Sequence, residues 1–143
     1  MAIQTLNLDA EWDFKSKFDP DRDGENATVF TLGTLSNRLL SYLQDKATTF
    51  KGTSEENVEA SIMNASLAIE VVRYGLRGTK NLQDADGNPV EFEVQRQNVH
   101  GMDVKAVKPS IVNVIPKAVI MELAEELQKR NELSEAEAKN SEG

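Results

Sequence analysis

The side chains best spaced to do chemistry are the carboxylates of Asp19, Asp21 and Asp23, which alternate along the chain and are followed by Gly24. A calcium loop presents oxygen ligands at its first, third and fifth positions and a glycine at its sixth, so the segment begins as such a loop would. The template then fails. Its second position is Pro20, and its twelfth, where a bidentate carboxylate should close the cage, is Phe30. The flanking residues also read as strands, where an EF-hand needs helices. An acidic, glycine-punctuated turn accounts for the segment, with Asp19, Asp21 and Asp23 kept as the only candidate metal ligands. Asp84, Asp86 and Gly87 repeat the third, fifth and sixth positions with Glu93 at the twelfth, but the first is Leu82, so this too reads as a turn.

His100 is the one side chain that would ordinarily titrate near neutrality, and it lies between Val99 and Gly101 in a predicted bend. A catalytic histidine needs an orienting carboxylate and a nucleophile within reach, and no local pattern supplies either. Ser36, Ser41, Ser61, Ser66 and Ser110 do not lie in a GxSxG elbow, and there is neither a Walker loop nor a GxGxxG fingerprint. A single histidine and zero cysteines exclude a multi-histidine zinc site, disulfides and a thiol nucleophile. These readings point to a protein that is not an enzyme and carries no cofactor. Arg73, Arg77 and Lys80 form a basic cluster, read either as favourable charge near a helix C-terminus or as a dock for an acidic segment.

The 143 residues carry 16 basic and 24 acidic side chains, a net charge of −8. Residues 1–30 and 121–143 each hold seven acidic and three basic groups, whereas residues 31–120 hold ten of each. Phosphate-backbone binding is opposed by this balance, and a DNA mimic would spread its negative charge over the folded body. The expected partners therefore include neither nucleic acid nor membrane. No stretch approaches the roughly 20 apolar residues of a membrane span, and the N-terminal segment lacks the basic leader and apolar core of a signal peptide.

The elements that must position these residues follow from periodicity. EWDFKSKF alternates Trp12, Phe14 and Phe18 with charged residues, which predicts a strand, and ATVFTL after the turn predicts its hairpin partner. Leu35, Leu39, Tyr42 and Leu43 predict a short amphipathic helix over 36–46. Thr53 with Glu56 has capping-box spacing, and Val58, Ile62, Ala65, Ile69, Val72 and Leu76 then draw one apolar stripe along a long helix that Gly75 and Gly78 would end in the left-handed conformation. Val58, Ile62 and Ile69, with Arg73 and Arg77, are the candidate partner-binding residues.

Residues 90–96 alternate as a strand, NVHGMD bends the chain, and 104–107 return. Pro116 suits the first turn of a last helix with Val119, Ile120, Leu123 and Leu127 on its apolar face. The order ββα, α, ββα predicts an α+β fold in which three main helices cover antiparallel hairpins. Residues 1–133 are expected to form a single domain and 134–143 a flexible acidic tail.

The segments ATVFTLGTLSNRLLSYLQDKATTF, YGLRGTKNLQDADGNPVEF and ELAEELQKRNELSEAEAKN, in this order, resemble small proteins from the structural and tail gene clusters of tailed bacteriophages, described as tail assembly chaperones. The similarity covers about residues 27–140 and includes no catalytic or ligand signature. It implies a non-enzymatic role in virion assembly within the host bacterial cytoplasm, binding the tape-measure protein, keeping it soluble and helping tail-tube subunits assemble around it. Two alternatives stand beside it: a virion component of the tail or head–tail connector, and an acidic anti-defence inhibitor of a host protein. Phage proteins are the expected partners under the first two, with a second copy of the chain as a further candidate.

Overall fold

Trp12 and Phe14 turn inward between exposed Glu11 and Asp13, and this alternation forms β1 (Glu11–Phe14). In the computed structural model, which describes residues 2–51 and 64–132 (side chains only to 47 in the first of these segments), β1 pairs antiparallel with β2 (Val29–Gly33). The register sets Trp12 opposite Leu32 and Phe14 opposite Phe30. The hairpin is the predicted one. Ser36 then caps α1 (Asn37–Lys51), its Oγ accepting the Leu39 N–H at 3.1 Å, and Leu39, Leu40 and Leu43 are buried.

The next helix differs from expectation. Asn64 is extended, and its side chain accepts the Leu67 N–H at 2.9 Å, so α2 (Ala65–Gly75) starts at a new cap and does not continue a helix through that residue. Leu76 lies outside it as well, opening β3 (Leu76–Lys80). The buried face of α2 is Leu67, Ala68, Val71, Val72, Tyr74 and Gly75, so the expected stripe matches it only in part: Val72 and the following Leu76 are buried, whereas Ile69 is 39% exposed. The reason is steric. Ala68 and Gly75 are small enough to let neighbouring elements approach, and periodicity scored on large apolar side chains does not count them. A Cβ on Gly75 would stand 2.5 Å from Leu127 Cδ1, so that glycine serves close helix packing. Neither it nor Gly78 has positive φ, which corrects the expected left-handed stop.

β3 pairs antiparallel with β2, placing β2 at the centre of a three-stranded sheet in the order β1-β2-β3, with a register shift between Thr31 and Leu32. β4 (Val94–Val99) and β5 (Met102–Val107) form a separate antiparallel hairpin. His100 (φ 49°) and Gly101 (φ 84°) make its two-residue turn, since two consecutive positive φ angles match the right-handed twist of the strands. β4 begins four residues later than expected. A single helical turn, α3 (Pro109–Val112), leads to α4 (Lys117–Glu132), whose first internal hydrogen bond runs from the Ile120 N–H to the Pro116 carbonyl.

The protein is thus α+β, with antiparallel sheets packed by helices and one more strand than the pattern predicted. α2 is the central packing element, touching α4, α1, α3 and β5. Leu67, Val71, Val72, Val107, Leu123 and Leu127 are almost completely removed from solvent there, and each such side chain contributes about 1.5–3 kcal/mol by burial. Thr53, Glu56, Val58, Ile62 and the expected tail over 134–143 lie outside the described residues. Among the described residues no helix is long and apolar enough to cross a membrane.

Candidate docking cleft

The aspartate turn is fastened to the protein's own backbone. Asp19 Oδ1 accepts the Asp21 N–H and Oδ2 the Thr28 N–H, each at 2.8 Å, while the Gly24 N–H donates to the Asp21 carbonyl at 2.8 Å. Both oxygens of Asp19 thereby hold the loop together. Asp21 and Asp23 do not join it in a cage: among the described residues no group of three histidine, cysteine or acidic side chains is arranged to hold a metal ion. Asp84 behaves alike, its Oδ1 accepting the Asp86 and Asn88 N–H groups at 2.9 Å beside Gly87.

The basic pair is also divided. Arg73 stays on α2, 3.8 Å from Glu70 and 5.5 Å from the Tyr74 ring centroid. Arg77 lies on β3, where its side chain fills the space that a Cβ on Gly33 would take. Burial lowers the Arg77 pKa from the ordinary arginine value, and Glu11 opposes that shift. Tyr74 moves the other way: burial raises its pKa most, with Arg73 opposing and Glu70 and Tyr42 reinforcing. The Tyr74 hydroxyl donates to Gln97 Oε1 at 3.3 Å, linking α2 to β4. His100 stacks on Tyr42, with centroids 4.8 Å apart and rings 9° from parallel, and its carbonyl accepts from Arg38 Nη2 at 3.1 Å. These contacts tie the β4–β5 turn to α1.

Three distant segments instead build a cleft of about 590 Å³: the β1–β2 loop, the β3–β4 loop and the junction of α3 with α4. Phe30, Leu82, Val90, Ile115 and Val119 give it an apolar lining. Phe18 stands at its side with 52% of its surface exposed. Asp19, Asp21 and Asn26 face it from one loop, Asn81 and Gln83 from the other, and Pro20, Pro89 and Pro116 mark each of the three walls.

The walls are locked to one another. Thr28 Oγ1 donates to the Asn81 carbonyl at 2.9 Å, and Asn81 Nδ2 returns a bond to the Ala27 carbonyl at 3.0 Å. Asn81 achieves this at φ 60°, a left-handed conformation that asparagine tolerates better than most residues. The Lys17 N–H donates to Glu122 Oε2 at 2.9 Å, and Trp12 Nε1 donates to Glu126 Oε2 at 3.1 Å, with Arg130 5.1 Å from the indole centroid. Glu122, Glu126 and Arg130 follow one another at steps of four along α4, so one helix face holds β1 through Trp12 and the start of the β1–β2 loop through Lys17.

Of the residues singled out as partner-binding, the described ones, Ile69, Arg73 and Arg77, do not line this cleft, whereas Asp19 and Asp21 from the metal candidate do. Val119 was read as core and is half-buried at the cleft. Asn81 and Gln83 carry no distinguishing signal and Pro116 only a helix-start signal, because what unites them is tertiary proximity. A second concavity, about 470 Å³, lies where the N-terminal residues 3–8 run beside Ser36, Asn37, Asn131 and Glu132. The chain matches no protein-family model, and no characterised protein or solved structure shows significant similarity to it.

Proposed function

We propose that this chain is a non-enzymatic bacteriophage assembly protein, a tail assembly chaperone that holds the tape-measure protein in solution in the bacterial cytoplasm. The observation that carries the reading is the cleft: an apolar floor with carboxylate and amide groups at its sides suits polypeptide, whose side chains alternate between apolar and polar. Its walls are braced before any partner arrives, which reduces the ordering cost of binding. The protein's negative charge keeps a complex dispersed while an apolar segment is covered. Co-expression with the tape-measure protein is expected to raise that protein's soluble fraction and to yield a complex that co-purifies at low salt. Unchanged solubility with no recoverable complex would refute the proposal.

The N-terminal segment favours a second reading, a component of the tail or head–tail connector. Ile3 is 89% exposed and Leu8 is also largely exposed, as in an arm that is covered on assembly. Recovery of the chain in purified particles at a fixed stoichiometry would favour this reading over a transient chaperone.

A further inference from the structure

We infer that the cleft selects an extended polypeptide segment in which lysine or arginine alternates with apolar side chains, and that the two loops walling it supply the selection. The inference rests on the protein-binding reading above and is independent of the partner's name. Residues 19–26 contain four acidic groups and one basic group, and residues 81–91 contain three acidic groups and no basic one. With Lys15 and Lys17 counted, the whole β1–β2 loop over 15–28 carries −1, and the whole β3–β4 loop over 81–93, with Glu93, carries −4, within a chain whose total is −8. Sums over 1–30, 31–120 and 121–143 hide the second loop's charge, because that loop lies in a stretch that is neutral as a whole.

Opposite charges within about 8 Å interact appreciably at physiological ionic strength, and the carboxylates that an entering cation meets in the lining are Asp19 and Asp21 of the β1–β2 loop, the β3–β4 loop facing it with Asn81 and Gln83. Among the described residues that line the cleft there is no arginine or lysine, while there are two aspartates. An anion or nucleic acid would meet those two carboxylates. A metal ion is disfavoured because Asp19 already spends both oxygens on backbone N–H groups. The apolar half of the recognition falls to Phe18 and Val119. The Phe18 ring already has Lys17 Nζ 5.2 Å from its centroid, so a cation can be accommodated at that side chain.

The test uses a fluorescein-labelled Ala-Lys-Leu-Lys-Val-Lys-Leu-Lys-Ala peptide, with lysine-to-glutamate and leucine/valine-to-serine versions as controls, titrated into the full chain. The backbone amide NMR spectrum locates the contact. Saturable binding of the first peptide alone is expected, with shifts concentrated at 16–28, 81–90 and 115–119. Phe18→Ala, at an exposed side chain, is expected to weaken binding about tenfold, as is Asp21→Lys with Glu25→Lys. Both variants should keep the wild-type spectrum elsewhere, and Phe18→Ala preserves the test if the double variant fails to fold.

Equal binding of the glutamate or serine peptide, shifts spread over other faces, absence of saturation, or the same shifts produced by calcium or spermidine alone would each overturn the inference. The two proposals fail separately. Variants that lose the peptide yet still solubilise the tape-measure protein would sink the cleft assignment and leave the chaperone reading standing. A wild-type chain that binds the peptide but never the tape-measure protein would do the reverse.

Discussion

Asn131 is 8% exposed near the end of α4, and its amide meets both backbone groups of Leu35: Oδ1 accepts the Leu35 N–H at 3.3 Å and Nδ2 donates to the Leu35 carbonyl. One side chain thereby closes the junction between β2 and α1. Asn131→Ala would leave two backbone groups buried without partners, so it is expected to cost about 2–3 kcal/mol in urea unfolding. Tyr74 gives a second prediction. Its pKa in the fold lies above the ordinary value of 10.0, so the native protein retains a proton that the unfolded chain has released. Stability from this group is therefore full below about pH 10 and falls as pH rises through the folded-state pKa. Urea midpoints measured across that alkaline range should decline less steeply in Tyr74→Phe than in the wild type.

At the level of elements, packing decides what periodicity leaves ambiguous. The β1–β2 hairpin, the first helix, the β4–β5 hairpin and the last helix are legible because large apolar residues mark their inner faces. α2 and β3 are not. Asn64 offers a cap in the middle of an otherwise helical pattern, and LRGTK has little strand character until β2 supplies a partner for it. Gly75 reads as a helix stop, yet its missing side chain makes room for Leu127. Gly75→Ala should destabilise by about 1–3 kcal/mol through overpacking, despite alanine's better helix propensity. The cost should shrink when Leu127 is also replaced by alanine, and a double-mutant cycle in urea unfolding measures that coupling. Replacing the Asn64 cap by alanine should cost about 1 kcal/mol on the same scale.

Across the whole molecule, the cleft is the feature least legible in the sequence. The second wall begins about fifty residues after the first and the third about twenty-five after the second, and the β2–β3 pairing, with the bonds from Asn81 to Ala27 and Thr28 and from Glu122 to Lys17, brings them together. Asp19 and Asp21 attracted notice through a metal-loop template, and the fold gives them a different setting: an acidic edge beside an apolar floor. The proposed covering of another polypeptide rests on this setting.

The most direct measurement is hydrogen–deuterium exchange on the purified complex with the tape-measure protein, compared with the free chain. Slower exchange over residues 16–28, 81–90 and 115–119, with the β4–β5 turn unchanged, is the predicted result. A stable complex in which those three segments exchange at the same rate as in the free chain would contradict the account.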